Sequence, residues 1–175
     1  MKVKEAILAV LPEMAELEEV DFSKYSVYQG LLSEFAGSGR RGLVEFQRFA
    51  EEKGDKAVVG RFLLSLLQYL LIRYRRYGEY STVKPAIKVL VTLKGWLNEN
   101  GYERDWLKVL HSFVGYTVDM MEAISEKEEC DVALAYLELI HNLTLEARRG
   151  FTESYYVMLE ERASENLRAL KEKCG

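Results

Sequence analysis

A helix that is apolar around almost its whole circumference, from Asp55 to Tyr77, constrains the fold of this chain most. Its middle, Phe62 to Ile72, is a run of 11 residues without a charge. A helix wetted on one side keeps a polar face, whereas one that is apolar all round is enclosed by other elements. The run is shorter than the roughly 17–25 residues that span a bilayer. We therefore expect the central helix of a soluble helical domain.

The rest of the chain also shows helical spacing, and no sustained alternation of period two predicts a sheet. Helices are expected at about 3–18, 21–36, 43–53, 55–77, 81–98, 102–124, 125–150 and 151–173. The connections after the fourth helix are very short, which makes neighbouring helices antiparallel. The predicted fold is all-α: an up-down antiparallel multi-helix bundle with a buried central helix at about 55–77, in a single helical domain over residues 1–175.

Composition narrows the function classes. The 28 acidic and 24 basic residues give a net charge of −4, which argues against broad nonspecific nucleic-acid binding. Cys130 and Cys174 form no motif and are expected to be reduced thiols. No signal peptide or transmembrane segment is recognisable, so the expected location is the cytoplasm, without membrane partners. Few Asn and Gln beside many Glu, Lys and Arg are typical of thermophilic proteins.

Two motifs lack the context that their chemistry needs. The segment Gly37 to Gly42 spells G-x-G-x-x-G, but a helix precedes it and no parallel sheet follows, so an interhelical turn is expected. Glu138 and His141 form one E-x-x-H unit, whereas di-iron bundles need two such units and further glutamates. We therefore expect neither a metal site nor a cofactor.

The segment from Arg104 to His111 carries a pair suited to RNA cleavage. It resembles the R-x(4–6)-H signature of HEPN-type helical ribonucleases, with the polar Asp105 after the arginine. The resemblance implies that Arg104 and His111 of two subunits meet in a dimer groove. There the histidine would move a proton and the arginine would hold a phosphate. The alternative is a histidine on the flank of a bundle, unrelated to the arginine.

Cations alternate with aromatic residues at the end of the central helix. Such residues hold phosphates and stack bases in RNA-binding proteins, and they also carry much of the binding energy in protein interfaces. The plainer interpretation is that the helix dipole favours cations there, and that the tyrosines bury their rings at the edge of the core while their hydroxyls contact water. The candidate binding residues in this rim are Arg73, Tyr74, Arg75, Arg76 and Tyr77.

Three polar residues lie along one side of the central helix: Arg61, Ser65 and Gln68. A charge on a buried helix needs a partner. Arg61 is therefore expected to form an internal salt bridge with a glutamate of a neighbouring helix. A ligand groove lined by Arg61 and Gln68 is the functional alternative.

Each of these candidate sites lacks residues that its chemistry requires, whereas aromatic residues, which are common in protein interfaces, make up 11% of the chain. The sequence therefore favours a non-enzymatic protein-interaction or assembly module, with a protein partner or self-association into a homodimer. The alternative is an RNA-binding protein or a HEPN-like ribonuclease that uses Arg104 and His111. Whether the protein is an enzyme stays open at this point.

Overall fold

A computed structural model describes residues 57–175, apart from the side chains of 57–59, 61, 62 and 65. This part contains six α-helices and no strand, which confirms the predicted all-α multi-helix fold. The helices are α1 (Ala57–Tyr77), α2 (Val83–Glu99), α3 (Glu103–Asp119), α4 (Met121–Lys127), α5 (Cys130–Gly150) and α6 (Ser154–Cys174), with a 3-10 turn at Tyr80–Thr82. The helices predicted before residue 55, the Gly37 to Gly42 turn and the Asp55 cap lie outside the described residues.

The chain divides into two compact units, residues 1–100 and residues 101–175. The described part of the first holds α1, the 3-10 turn and α2. The second holds α3 to α6. The expectation of one domain over residues 1–175 stays a prediction.

In the first unit, α1 packs against α2. Of the eight described apolar side chains from Leu63 to Ile72, Leu64 and Ile72 are half-buried and the other six are fully buried, as predicted for the central helix: Leu63, Leu66, Leu67, Tyr69, Leu70 and Leu71. Gly60 lies under Trp96 of α2, where a Cβ would come within 2.7 Å of the Trp96 ring. The two helices therefore approach closely at that point because no side chain intervenes.

Both helices of the first unit end as their sequences predict. Gly78 has a φ of 62° and donates its N–H to the Tyr74 carbonyl at 2.7 Å, and Gly101 has a φ of 81°. Glycine adopts this left-handed conformation without a Cβ penalty and so caps helix C-termini. Pro85 falls in the first turn of α2, where backbone N–H groups have no partner within the helix.

In the second unit, α5 and α6 form an antiparallel hairpin. Cys130 at the start of α5 meets Cys174 at the end of α6, and His141 meets Glu160 further along. Helix α3 lies against both. Its residues 111 and 119 contact residues 156 and 162 of α6, so α3 and α6 run in the same direction. The long helices α3, α5 and α6 therefore run up, down and up.

The predicted helix at 102–124 is wrong as a single element, because the chain breaks at Met120 between α3 and α4. Met120 and Met121 are both fully buried. Ser125 does not start the next helix; its hydroxyl donates to the Met121 carbonyl inside α4, and α5 begins at Cys130.

The predicted reduced thiols are also wrong, since Cys130 and Cys174 form a disulfide. Their Cα atoms are 5.8 Å apart, within the usual range for such a bond. The two cysteines are 44 residues apart in sequence and belong to no motif. Only the antiparallel pairing of α5 with α6 brings the first residue of one helix beside the last residue of the other.

Candidate functional site

His111 is exposed on α3 and is not enclosed by leucines and valines. Leu107, His111 and Gly115 are spaced four residues apart and so form one stripe along the helix. This stripe faces the junction of α5 and α6. Leu107 lies against Gly150, where a Cβ would come within 2.7 Å of Leu107 Cδ2, and the Tyr155 hydroxyl lies over Gly115.

Aromatic rings from the start of α6 surround one side of His111. The rings of Phe151 and Tyr156 stack with centroids 4.8 Å apart, and Tyr155 meets Tyr156 edge-on at 5.3 Å. The His111 ring is 5.3 Å from Phe151 and 6.0 Å from Tyr156. The imidazole is therefore held against an aromatic wall while its remaining surface faces solvent.

Tyr156, which is 2% exposed, shares a hydrogen bond with His111 Nδ1. Burial raises the pKa of the Tyr156 phenol above 10.0, and the negative charge of Glu153 and the neighbouring Tyr155 raise it further. The phenol is therefore protonated at neutral pH. In the described part of the chain its hydroxyl has no second partner. A buried O–H is satisfied only when it donates, so Tyr156 donates to Nδ1 and neutral His111 carries its proton on Nε2.

Arg104 is exposed in the first turn of α3. Within residues 57–175 its side chain makes no ion pair or hydrogen bond. Seven residues along a helix correspond to a rise of roughly 10 Å, and helical side chains lean toward the N-terminus. Arg104 therefore leans away from His111 of the same chain. The structure brings His111 together with Tyr156 and Phe151 instead.

The rim at the end of α1 is built around one ion pair. Arg73 donates from Nε to Glu79 Oε2 at 2.8 Å and from Nη2 to Glu79 Oε1 at 2.6 Å. Its guanidinium also lies 4.9 Å from the centre of the Tyr77 ring. This bidentate bond engages the face of Arg73 that would hold a phosphate. It ties the end of α1 to the segment that leads into the 3-10 turn.

The other predicted residues of the first unit are spread over α1. Arg75, Arg76 and Tyr77 are exposed on its last turn, and Tyr74 is half-buried. Gln68 is 9% exposed, among the buried leucines. The side chain of Arg61 lies outside the described residues, so its salt bridge stays a prediction.

His141 pairs with a carboxylate of another helix, not with Glu138, which is exposed. Its Nε2 lies 3.2 Å from Glu160 Oε1, and Arg148 donates to Glu160 Oε2 at 3.1 Å. These contacts join α5 to α6. Over the described part of the chain, no three His, Cys, Asp or Glu side chains are grouped as a metal site would require.

Large apolar side chains are exposed on α3 and at the start of α6. Leu107 is 41% exposed, Tyr155 46% and Met158 48%. Together with His111 and Phe151 we call these residues the α3–α6 face: Leu107, His111, Phe151, Tyr155 and Met158. Its members carry no carboxylate, lysine or arginine. Charged side chains border it, with Arg104 and Lys108 on α3 and the Arg162–Asp119 pair, at 3.2 Å, between α6 and α3.

Sequence reasoning identified only His111 of this face. Leu107 and Met158 occupy helical positions whose spacing would equally suit buried core residues. Gly150 and Gly115, which leave space for Leu107 and Tyr155, are 35 residues apart in the sequence. The repeat Leu107, His111, Gly115 was the available signal.

None of the described helices combines the length and the apolar character needed to cross a membrane. In comparisons with known proteins, no family model matches the chain, and neither a curated protein nor a solved structure is significantly similar to it.

Proposed function

We propose that this protein is a non-enzymatic interaction module that self-associates through the α3–α6 face. The observation that supports this is the exposure, by 41–48%, of three large apolar side chains on α3, which carries the exposed His111, and on α6, which packs beside it. Single exposed apolar residues are ordinary, whereas a contiguous patch marks an interaction site. Interface centres are rich in tyrosine and methionine and poor in charge, as this face is.

The chemistry of the face favours a second copy of the chain as its occupant. Homodimer interfaces are more apolar than other interfaces, and a two-fold contact uses the same patch on both subunits. The face carries a donor, His111 Nε2–H, and an acceptor, the Tyr155 hydroxyl. The border of the α3–α6 face also carries charges of both signs, a positive one on Arg104 and a negative one on Asp119. A self-pairing therefore leaves no charge buried without a partner.

Sedimentation velocity of the wild type and of Met158→Glu tests this function. We expect a dimer for the wild type and a monomer for the variant, because the glutamate would be desolvated at the centre of the contact. Val91→Glu is the matched control, since Val91 is an apolar side chain that is 45% exposed on α2 of the first unit. A wild type that is monomeric up to about 100 μM, well above the micromolar Kd of a modest interface, would contradict the proposal.

RNA cleavage is the second candidate, and the exposed position of His111 is the observation that favours it. His111 lies within the face proposed to pair with a second copy, so dimerisation would bring two histidines to one groove. Its Nε2–H suits the donation of a hydrogen bond to a phosphate, and the protonated imidazolium can donate a proton to a leaving group.

An RNA degradation assay distinguishes this candidate from a purely structural role. The wild type should degrade RNA, His111→Ala should not, and Ser112→Ala, at the exposed neighbouring position, should retain the activity. Equal activity in the wild type and His111→Ala, or none in either, removes the candidate while leaving self-association untouched.

A further inference from the structure

The α5–α6 hairpin is closed covalently at its open end. At one end the chain turns from Gly150 into α6, and at the other the disulfide joins Cys130, the first residue of α5, to Cys174, the last residue of α6. Cys130 is exposed and Cys174 is half-buried. A thiol in solution can therefore reach the sulfur of Cys130.

The last turns of α6 have few other attachments. The ion pair between Arg162 and Asp119 and the contact of Asn166 with Met121 lie before this segment. Beyond them Leu167 and Leu170 are buried and hold the helix up to residue 170, while Lys171, Glu172 and Lys173 are exposed. Helix ends without buried contacts fray. The disulfide is thus the main restraint on the last turn of α6, residues 171–174.

We propose that Cys130–Cys174 is a reversible thiol–disulfide exchange site, and that its reduction by a dithiol releases the last turn of α6. This inference is independent of the function proposed above. The α3–α6 face lies at the opposite end of α6, where the hydrogen bond between Tyr156 and His111 holds the helix.

The exchange balances as a two-electron transfer. One thiolate of the dithiol attacks Cys130 Sγ, the Sγ–Sγ bond breaks, and Cys174 leaves as a thiolate that takes up a proton. The second thiol of the reductant, as its thiolate, attacks the reductant sulfur of the mixed disulfide and releases Cys130. The protein gains two thiols, and the reductant becomes a disulfide.

Hydrogen exchange with mass-spectrometric detection, with and without dithiothreitol, tests this proposal on the full chain. Without reductant, alkylation should find no free thiol. With reductant, both cysteines should be alkylated, and in short labelling pulses the amides of residues 171–174 should exchange roughly tenfold faster or more, while those of α3 remain protected. The Cys130→Ser, Cys174→Ser double variant should show the fast pattern in both conditions.

Three results would overturn the proposal. Free thiols in the untreated protein would show that the bond does not form. An exchange pattern unchanged by reduction would show that the bond restrains nothing. Loss of α3 protection in the same short pulses would show a bond that supports the whole unit instead of one end of a helix.

Discussion

At the scale of single residues, the contact that organises the candidate site is the hydrogen bond between Tyr156 and His111. It joins a buried phenol to an exposed imidazole and decides which ring nitrogen carries the proton. A histidine with Nε2–H donates a hydrogen bond both when neutral and when charged. His111 is therefore suited to meeting an acceptor, and less suited to removing a proton through Nε2.

Replacing Tyr156 by phenylalanine should remove the preference of neutral His111 for the tautomer with its proton on Nε2. Long-range ¹H–¹⁵N spectra of the wild type should show neutral His111 protonated on Nε2, and Tyr156→Phe should show a mixture of tautomers. The lost hydrogen bond should lower the free energy of unfolding by about 1 kcal/mol. Tyr155→Phe, which removes an exposed hydroxyl, serves as the control. Protonation on Nδ1 in the wild type would refute the assigned direction of the bond.

The raised pKa of Tyr156 predicts an alkaline limit to stability. Because the folded state favours the protonated phenol, the stability from this group is fully present below pH 10.0, the unfolded value. It is lost as pH rises through the higher folded pKa. Tyrosinate absorbance should show ionisation that occurs later than that of the exposed tyrosines, and Tyr156→Phe should reduce its amplitude by one tyrosine. An unchanged amplitude in the variant would show that Tyr156 does not contribute to it.

At the scale of elements, two glycines show how closely helices approach. A Cβ on Gly60 would meet the buried Trp96 ring, whereas a Cβ on Gly115 would meet the hydroxyl of the exposed Tyr155. Alanine favours a helix by roughly 1 kcal/mol over glycine in both places. We expect Gly60→Ala to destabilise by about 1–3 kcal/mol, because overpacking outweighs that gain. Gly115→Ala should be neutral or stabilising, since Tyr155 can swing away. Chemical denaturation measures both, and equal effects would contradict this packing.

The disulfide should also contribute to global stability. Closing a loop over a sequence separation of 44 residues removes unfolded-state entropy worth about 4 kcal/mol. The Cys130→Ser, Cys174→Ser double variant should therefore unfold at a clearly lower denaturant concentration than the oxidised protein. Under reducing conditions the two proteins should differ little. A variant as stable as the oxidised wild type would show that the cross-link contributes nothing.

The burial of α1 could be predicted because its apolar run leaves no polar face to wet. The break at Met120 could not, since the apolar spacing continues through it and only tertiary packing favours burial of both methionines. The disulfide was missed for a related reason. The sequence separation of Cys130 and Cys174 carries no information about which helices pair or in what register.

At the scale of the whole molecule, function depends on which side chains each of the two units exposes to a partner or ligand. In the first unit, Glu79 engages Arg73, so this cation of the α1 rim is held by an ion pair within the unit. In the second unit, the α3–α6 face combines exposed apolar side chains with a hydrogen-bond donor, His111 Nε2–H, whose ring is held in place by Tyr156. Spacing could identify His111 but not its neighbours, because exposure at Leu107 and Met158 is decided by packing.

The most direct test of this account is an NMR dilution series on the full chain, with methyl groups of leucine, methionine and valine labelled. We expect concentration-dependent shifts at Leu107 and Met158 and in the His111 ring, and none at Val91 on α2. Spectra that do not change with concentration, or shifts that cluster around Val91, would contradict self-association through the α3–α6 face.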